Sequence, residues 1–342
     1  MEHVAIDLGG RESQVCVRDA TGRILEQKRW PTRELAAYLQ TRPPSRVIVE
    51  TCAEAFSVAD AALKSGHEAR VVPATLVRTL GVGARRTKTD RRDAQVLSEV
   101  STRIDLPSVH LASTASRERK TMCGMRESLV RARTKLINTV RGWMRGQAIR
   151  LRSGSPETLP VRLKEVVQTL PPYLERQLKM IDALTDEIQA ADKELKKLAK
   201  SDSTCARMMS VPGVGPVTAV RFVAALDDVT RFESAHKVQA YLGLTPGEDS
   251  SSDRQRRTSI TKAGSTATRW ALVQAAWAAR RAKGVHPMVE WSREVEKRRG
   301  KRVAVLALAR KIAGILYAIW RDGTFYEPSH KATIAPASPP AT

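Results

Sequence analysis

The chain has 342 residues, enough for two or three domains of ordinary size, and 42% are hydrophobic, which excludes a disordered chain. Lys and Arg number 58 against 36 Asp and Glu, and this net charge of +22 calls for a polyanionic partner, nucleic acid or a membrane surface. The membrane reading is weak, because no apolar run reads as long enough to span a bilayer and residues 1–10 lack the pattern of a secretory signal. The four cysteines (Cys16, Cys52, Cys123, Cys205) form no close pair, which excludes a zinc ribbon or disulfide scaffold and fits a reducing cytoplasm.

Val4-Ala5-Ile6 predicts a buried first strand, residues 13–18 an alternating second, and 24–30 a weaker third. Gly9-Gly10 and the turn at 19–22 separate them, the pattern of an antiparallel meander. A helix is expected over 33–40, a β-branched strand over 46–50, a helix over 53–65, a strand over 69–72 and a helix over 90–101. Three strands followed by αβαβα is the order of the ribonuclease H fold; a Rossmann fold would begin βαβ. The middle is helical. Met122, Met125, Leu129, Ala132, Leu136, Val140 and Trp143 form one apolar stripe on a long basic helix, which Ser153-Gly154-Ser155-Pro156 ends. A second long helix over 173–200 carries apolar residues at alternating steps of four and three, a coiled-coil seam or half of an intramolecular hairpin. Beyond residue 201 come a Gly-rich turn at 211–216, a basic loop at 247–264, and helices over 265–281 and 302–320. The Pro- and Ala-rich tail after 328 reads as disordered. Charge is uneven: residues 117–152 hold 11 basic and 2 acidic residues, and 251–311 hold 16 and 4.

Asp7 ends the first strand and Glu50 the fourth, which in a ribonuclease H arrangement lies beside it. Asp90 and Asp93, three apart, share one helix face. Four converging carboxylates require cations, and a pair of Mg²⁺ ions would suit phosphate chemistry. The plainer alternatives are helix-dipole partners for the two aspartates and a solvated strand end for Glu50. Asp7-Leu8-Gly9-Gly10 also has the form of a kinase-type phosphate turn, but no second such strand and turn follows. Gly213 and Gly215 suit either a helix-hairpin-helix contact to a DNA backbone or a tight turn between packed helices. Ser250, Ser251 and Ser252 precede Arg254, Arg256 and Arg257, which suit a phosphodiester, although no His or Asp triad partner is nearby.

Several blocks resemble, in order and over nearly the whole chain, the DEDD transposases of the insertion-sequence-110 family, the bridge-RNA-guided recombinases. They are Ala5-Ile6-Asp7, Val49-Glu50-Thr51, the stretch from Thr87 to Ala94 (KTDRRDA within it), Ser210 to Gly215, Tyr241 to Pro246, and Ser259 to Gly264 with Arg269. The resemblance implies a RuvC-like catalytic domain over 1–115, a helical coiled-coil linker over 116–200, a transposase domain over 201–328 and a tail at 329–342. It implies Mg²⁺ on Asp7, Glu50, Asp90 and Asp93, and a nucleophile at Ser251. The family's serine is commonly followed by Gly, and here Ser252 follows, so Ser250 and Ser252 remain alternatives. It further implies donor and target DNA, a structured bridge RNA, a homo-oligomer (dimer or tetramer) and action at the nucleoid of a bacterial cytoplasm. Gly213, Gly215, Arg254, Arg256, Arg257, Lys262 and Arg269 are the expected nucleic-acid contacts. A water-using RuvC-type nuclease and a non-catalytic nucleic-acid-binding protein are the alternatives.

Overall fold

The computed structural model describes residues 1–79, 90–249 and 257–328. The chain divides into two compact units, residues 1–112 and 113–342.

The first unit is a mixed α/β domain. Strands β1 (Glu2–Asp7), β2 (Glu12–Arg18) and β3 (Ile24–Pro31) form the expected meander, followed by α1 (Leu35–Gln40), β4 (Ser45–Glu50), α2 (Ala55–Lys64), β5 (Glu68–Val72), α3 (Ala74–Thr79) and α4 (Asp90–Arg103). The five-stranded sheet runs in the order β3-β2-β1-β4-β5. β2 is antiparallel to β1 and β3, whereas β4 is parallel to both β1 and β5. Alternation along β1, β2, β4 and β5 gives the sheet two apolar faces. Val4, Ile6, Val47 and Val49 pack against Leu35 and Leu39 of α1 and Val58 and Ala59 of α2. Ala5, Ile48 and Val72 pack on the other face against Val77 and against Leu97 of α4.

Helix α4 lies along the sheet through its stripe of Asp93, Ala94, Leu97, Ser98 and Ser101, all buried. The stripe is partly polar, and its serines are hydrogen-bonded to the sheet. His3 Nδ1 and Ser101 Oγ are 2.8 Å apart, Arg18 Nε donates to Ser98 Oγ at 3.1 Å, and Ser98 Oγ donates to Cys16 Sγ at 3.2 Å. Gln95 Nε2 donates to Gln27 Oε1 at 3.2 Å. Ser101 therefore stands over the start of β1, and α4 runs antiparallel to that strand.

The second unit is mostly helical. Helices α5 (Thr114–Gly146) and α7 (Pro172–Ser201) pack side by side, with α6 (Leu159–Val166) between them in sequence. Arg119 to Asp202 (2.6 Å) and Arg126 to Asp192 (2.8 Å) set them antiparallel, so the apolar seam closes within one chain as a hairpin. The buried line of α5 is Cys123, Arg133, Ile137, Val140 and Met144. It is rotated from the predicted stripe, and Met125 is 65% exposed. The cause is Arg133, a seam residue whose charge is met by Glu157 at 3.1 Å and Thr185 at 3.2 Å.

The remaining helices are α8 (Ser203–Met208), α9 (Pro216–Leu226), α10 (Ala235–Tyr241), α11 (Thr266–Ala279), α12 (Pro287–Arg299) and α13 (Lys301–Asp322). They share a core that includes Phe222, Leu242, Leu272, Leu308 and Ile312. Contrary to the sequence reading, α13 is long and apolar enough to cross a membrane, with a mean hydropathy of 1.7, and half of that stretch is buried. Arg310 and Lys311 interrupt it midway, and Lys311 stands 4.5 Å from the ring centre of Trp291 on α12.

The α4–β1 contact makes a pH prediction. Burial, then the nearby Arg46 guanidinium, hold the His3 imidazole below its ordinary pKa of 6.5. The unfolded chain then binds a proton that the folded chain resists. Stability is complete above about pH 6.5 and falls as the pH drops below it. Thermal unfolding at pH 7.5 and 5.5 is expected to show a smaller acid-induced loss in His3→Gln than in the parent chain.

Candidate active site

The sheet places Asp7 and Glu50. Ala5 and Ile48 are paired neighbours on β1 and β4, and both face α4. Two residues on, by the period of a strand, Asp7 and Glu50 return to that face, side by side at the carboxyl ends of parallel strands. The helix supplies Asp93. From His3 to Asp7 the strand advances about 13 Å. From Ser101 back to Asp93 the helix advances about 12 Å. Asp93 stands at the head of the buried stripe, 3% exposed, about two turns up the helix from Ser101, which is bonded to His3. Asp90 opens α4 one turn earlier, and its side chain lies outside the described residues.

Two threonine hydroxyls, whose role sequence reasoning did not assign, hold the turns behind these carboxylates. Thr32 Oγ1 donates to Gly9 O at 2.7 Å and lies 2.8 Å from Ser13 Oγ, which ties down the turn after Asp7. Thr51 Oγ1 accepts from Ala74 N at 3.0 Å, and Thr51 N donates to Val72 O at 3.0 Å, fixing the chain just past Glu50. The sequence signal was a threonine or serine beside each turn, which is too common to single out. Among the described residues no group of three or more His, Cys, Asp or Glu side chains is gathered closely enough to hold a metal ion. By their chemistry the candidate donors, all of them carboxylate oxygens, would suit a hard cation.

In the second unit, Ser250, Ser251, Ser252, Arg254 and Arg256 lie outside the described residues, as does the side chain of Arg257. The base of their loop is a short antiparallel ribbon. Strands β6 (Pro246–Glu248) and β7 (Arg257–Ile260) pair antiparallel, with Pro246 opposite Ile260 and Glu248 opposite Arg257. Below the ribbon, Gly243 and Gly264, both with φ of +68°, interlock. A side chain on Gly243 would overlap the backbone of Ala263, and one on Gly264 would overlap Tyr241 O. Thr261 N donates to Thr245 O at 2.9 Å and Lys262 N to Gly243 O at 3.2 Å. Lys262 is exposed, at a φ of +57°.

Arg269 corrects its expected role. It is 8% exposed, and its guanidinium donates to the carbonyls of Leu242 (3.2 Å), Gly264 (3.1 Å) and Ala263. It clamps the loop base and has no face to offer a phosphate. Gly213 is corrected likewise. Its φ is +85°, and a Cβ there would overlap the backbone of Ala275 and Ala279. Its freedom serves helix packing against α11. Gly215, the N-cap of α9, has open space over its Cα.

A model described as the transposase of the IS116/IS110/IS902 family matches residues 205–290, and a DEDD transposase model of IS110 elements matches residues 4–147. The chain belongs to the IS110/IS116/IS902 family of transposases. It is 27% identical to the transposase for insertion sequence element IS1328 of Yersinia enterocolitica, covering 94% of this chain and 98% of that one. It is 28% identical to a probable family 20 transposase of Pseudomonas aeruginosa (96% and 99%) and 26% identical to the transposase for insertion sequence element IS1111A of Coxiella burnetii (92% and 88%). The two matched stretches of this transposase contain all four candidate carboxylates and the whole loop base.

Two measurements check the loop base and the turn. Arg269→Ala leaves three carbonyls without their donor and is expected to cost the transposase about 3 kcal/mol in urea denaturation. Its DNA binding, measured where it is folded, should keep the parent's salt slope, whereas a lost phosphate contact would lower it. Gly213→Ala is expected to cost about 2 kcal/mol or more from its backbone conformation. Gly215→Ala should cost less than about 1 kcal/mol. Equal effects of the two substitutions would contradict the packing role of Gly213.

Proposed function

We propose that this transposase cuts and rejoins DNA through a phosphoserine intermediate on Ser251, with Asp7, Glu50, Asp90 and Asp93 as a Mg²⁺ site in a RuvC-like domain. The observation that supports the reading is the position of Asp7 and Glu50 at the carboxyl ends of neighbouring parallel strands, on the face that α4 covers, with Asp93 buried on α4. The sheet order β3-β2-β1-β4-β5, with β2 alone running against the other four strands, is that expected of a ribonuclease H fold. Bound ions, a pair in this reading, would supply charge neutralisation at phosphate oxygens and ease loss of a proton from an attacking hydroxyl.

The chain's own groups do the rest. The Ser251 oxygen attacks phosphorus and gives up its proton, the bond from phosphorus to one strand's oxygen breaks, and that strand leaves with a hydroxyl end. A hydroxyl end from another strand reverses the step, releasing Ser251. One phosphoester replaces another each time, so no nucleotide triphosphate is consumed. Arg254, Arg256 and Arg257 bind the phosphate oxygens and oppose the charge that builds on them. The β6–β7 ribbon and the Arg269 clamp hold both ends of the segment bearing these residues. In this reading the domains are 1–115, 116–200 and 201–328, and the serine of one subunit meets the carboxylates of another in a homo-oligomer. A structured bridge RNA selects donor and target DNA.

The test is a denaturing gel of labelled DNA with Mg²⁺, followed by mass spectrometry of the attached peptide. The parent chain is expected to give a protein–DNA adduct at Ser251. Ser251→Ala should give none while still binding DNA, and Asp7→Asn and Asp93→Asn should each reduce cleavage about 100-fold or more. Cleavage without any adduct would replace this reading with a water-using nuclease.

A further inference from the structure

We propose that the outer face of α11 is a stacking track for unpaired bases of the DNA strand delivered to the serine loop; this rests on the function proposed above. Aromatic residues make up only 4% of the chain, yet α11 carries two tryptophans seven positions apart. Trp270 is 55% exposed, Gln274 is exposed, Trp277 is half-buried against the core, and Arg281 just past the helix is exposed. Steps of four, three and four put these residues on one stripe.

The stripe is fixed outward. Ala271, Leu272, Ala275, Ala276 and Ala279 fill the opposite face. The backbone of Gly213 lies directly against Ala275 and Ala279, so the helix cannot rotate. Arg269, next to Trp270, is tied to the carbonyls of Leu242, Ala263 and Gly264, so Trp270 stands beside the base of the serine loop.

The chemistry suits a nucleic-acid strand. Trp270 and Trp277 are about 10 Å apart along the helix, which is about three stacked base steps. The Gln274 amide lies between them and can donate to and accept from a base edge. Lys301 Nζ is 5.4 Å from the ring centre of Trp277. With Arg281 it flanks the stripe with positive charge, and α11 contains no Asp or Glu. Successive bases stack on exposed aromatic rings whatever their sequence. DNA is favoured as the occupant because the track begins one residue from the clamp of the loop that would carry the nucleophile.

The experiment is fluorescence anisotropy of the full chain, without divalent metal, over a salt series. The probes are a labelled DNA duplex, the same duplex with a central unpaired tract, and a single-stranded RNA of the tract sequence. The parent chain is expected to prefer the tract over the full duplex. Trp270→Ala should weaken tract binding about 10-fold, leave duplex binding unchanged and keep the salt slope, because stacking releases no counterions. Trp270→Phe should restore most of the preference. Loss on the duplex equal to that on the tract, loss confined to RNA, or a lowered salt slope would each overturn the proposal. Unchanged thermal unfolding of Trp270→Ala confirms that the loss is one of contact. No cleavage is read, so a missing serine adduct would leave this result standing, and a failed stacking test would leave the adduct standing.

Discussion

The packing of α4 antiparallel along β1 is the constraint on which the candidate site depends. A strand and a helix advance at different rates, so residues from the two stay level only where a fixed point sets the register. His3 and Ser101 supply that point, with Arg18, Ser98 and Cys16 as a second row of bonds. From there Asp93 lies about two turns back along the helix and Asp7 four residues on along the strand. The polar stripe of α4 is thus an alignment device. A wholly apolar stripe would bury as well but would resist sliding by one turn far less, because hydrophobic contact has no direction. Hydrogen bonds between buried groups penalise the slipped register, in which each would lose its partner.

The second unit solves a related problem differently. A loop rich in Arg and Ser gains nothing from burial, and the described residues at its two ends are tied together instead. Gly243 and Gly264 let two chain segments touch at backbone distance, and Arg269 ties three carbonyls that this contact strips of water. The guanidinium suits the task because its planar fork can serve several acceptors at once. The same helix that provides the clamp is seated by Gly213, so the Gly-rich turn and the loop base are linked through α11.

Much of the first unit was legible because strands declare themselves by alternation and turn residues. Asp7 and Glu50 stood out as charges at the ends of apolar runs. Asp93 and Asp90 looked alike in sequence, and burial of the Asp93 side chain rests on the direction of α4, which no local pattern encodes. The stripe of α5 was misplaced because a periodicity search avoids charged residues, whereas Arg133 lies in the seam with Glu157 and Thr185 around it. Helix α12 escaped notice for a similar reason. It buries Met288, Val289 and Ser292 and is otherwise dominated by charge, so packing against α13 rather than amphipathic pattern holds it. Arg269 and Gly213 were read as ligand-binding residues since Arg and Gly near a basic loop fit that role as well as they fit a clamp and a close contact.

The same distinction governs what the charge of +22 can do. Part of it is already engaged. Arg119, Arg126 and Arg221 pair with Asp202, Asp192 and Glu127, Arg280 bonds Ser292 and Glu296, and Arg269 is spread over carbonyls. These arginines stabilise the helical unit and offer little to a polyanion, since binding would first have to break their bonds. The exposed cations are placed elsewhere. Arg298, Arg299, Lys301 and Arg302 crowd the corner where Gly300, at a φ of +80°, separates α12 from α13. Like charges that close repel one another, and the end of α12, where basic side chains meet the negative pole of the helix, relieves only part of that cost. A polyanion would relieve the rest. The corner reaches α11 through Lys301 at Trp277, so this exposed positive charge adjoins the exposed aromatic stripe.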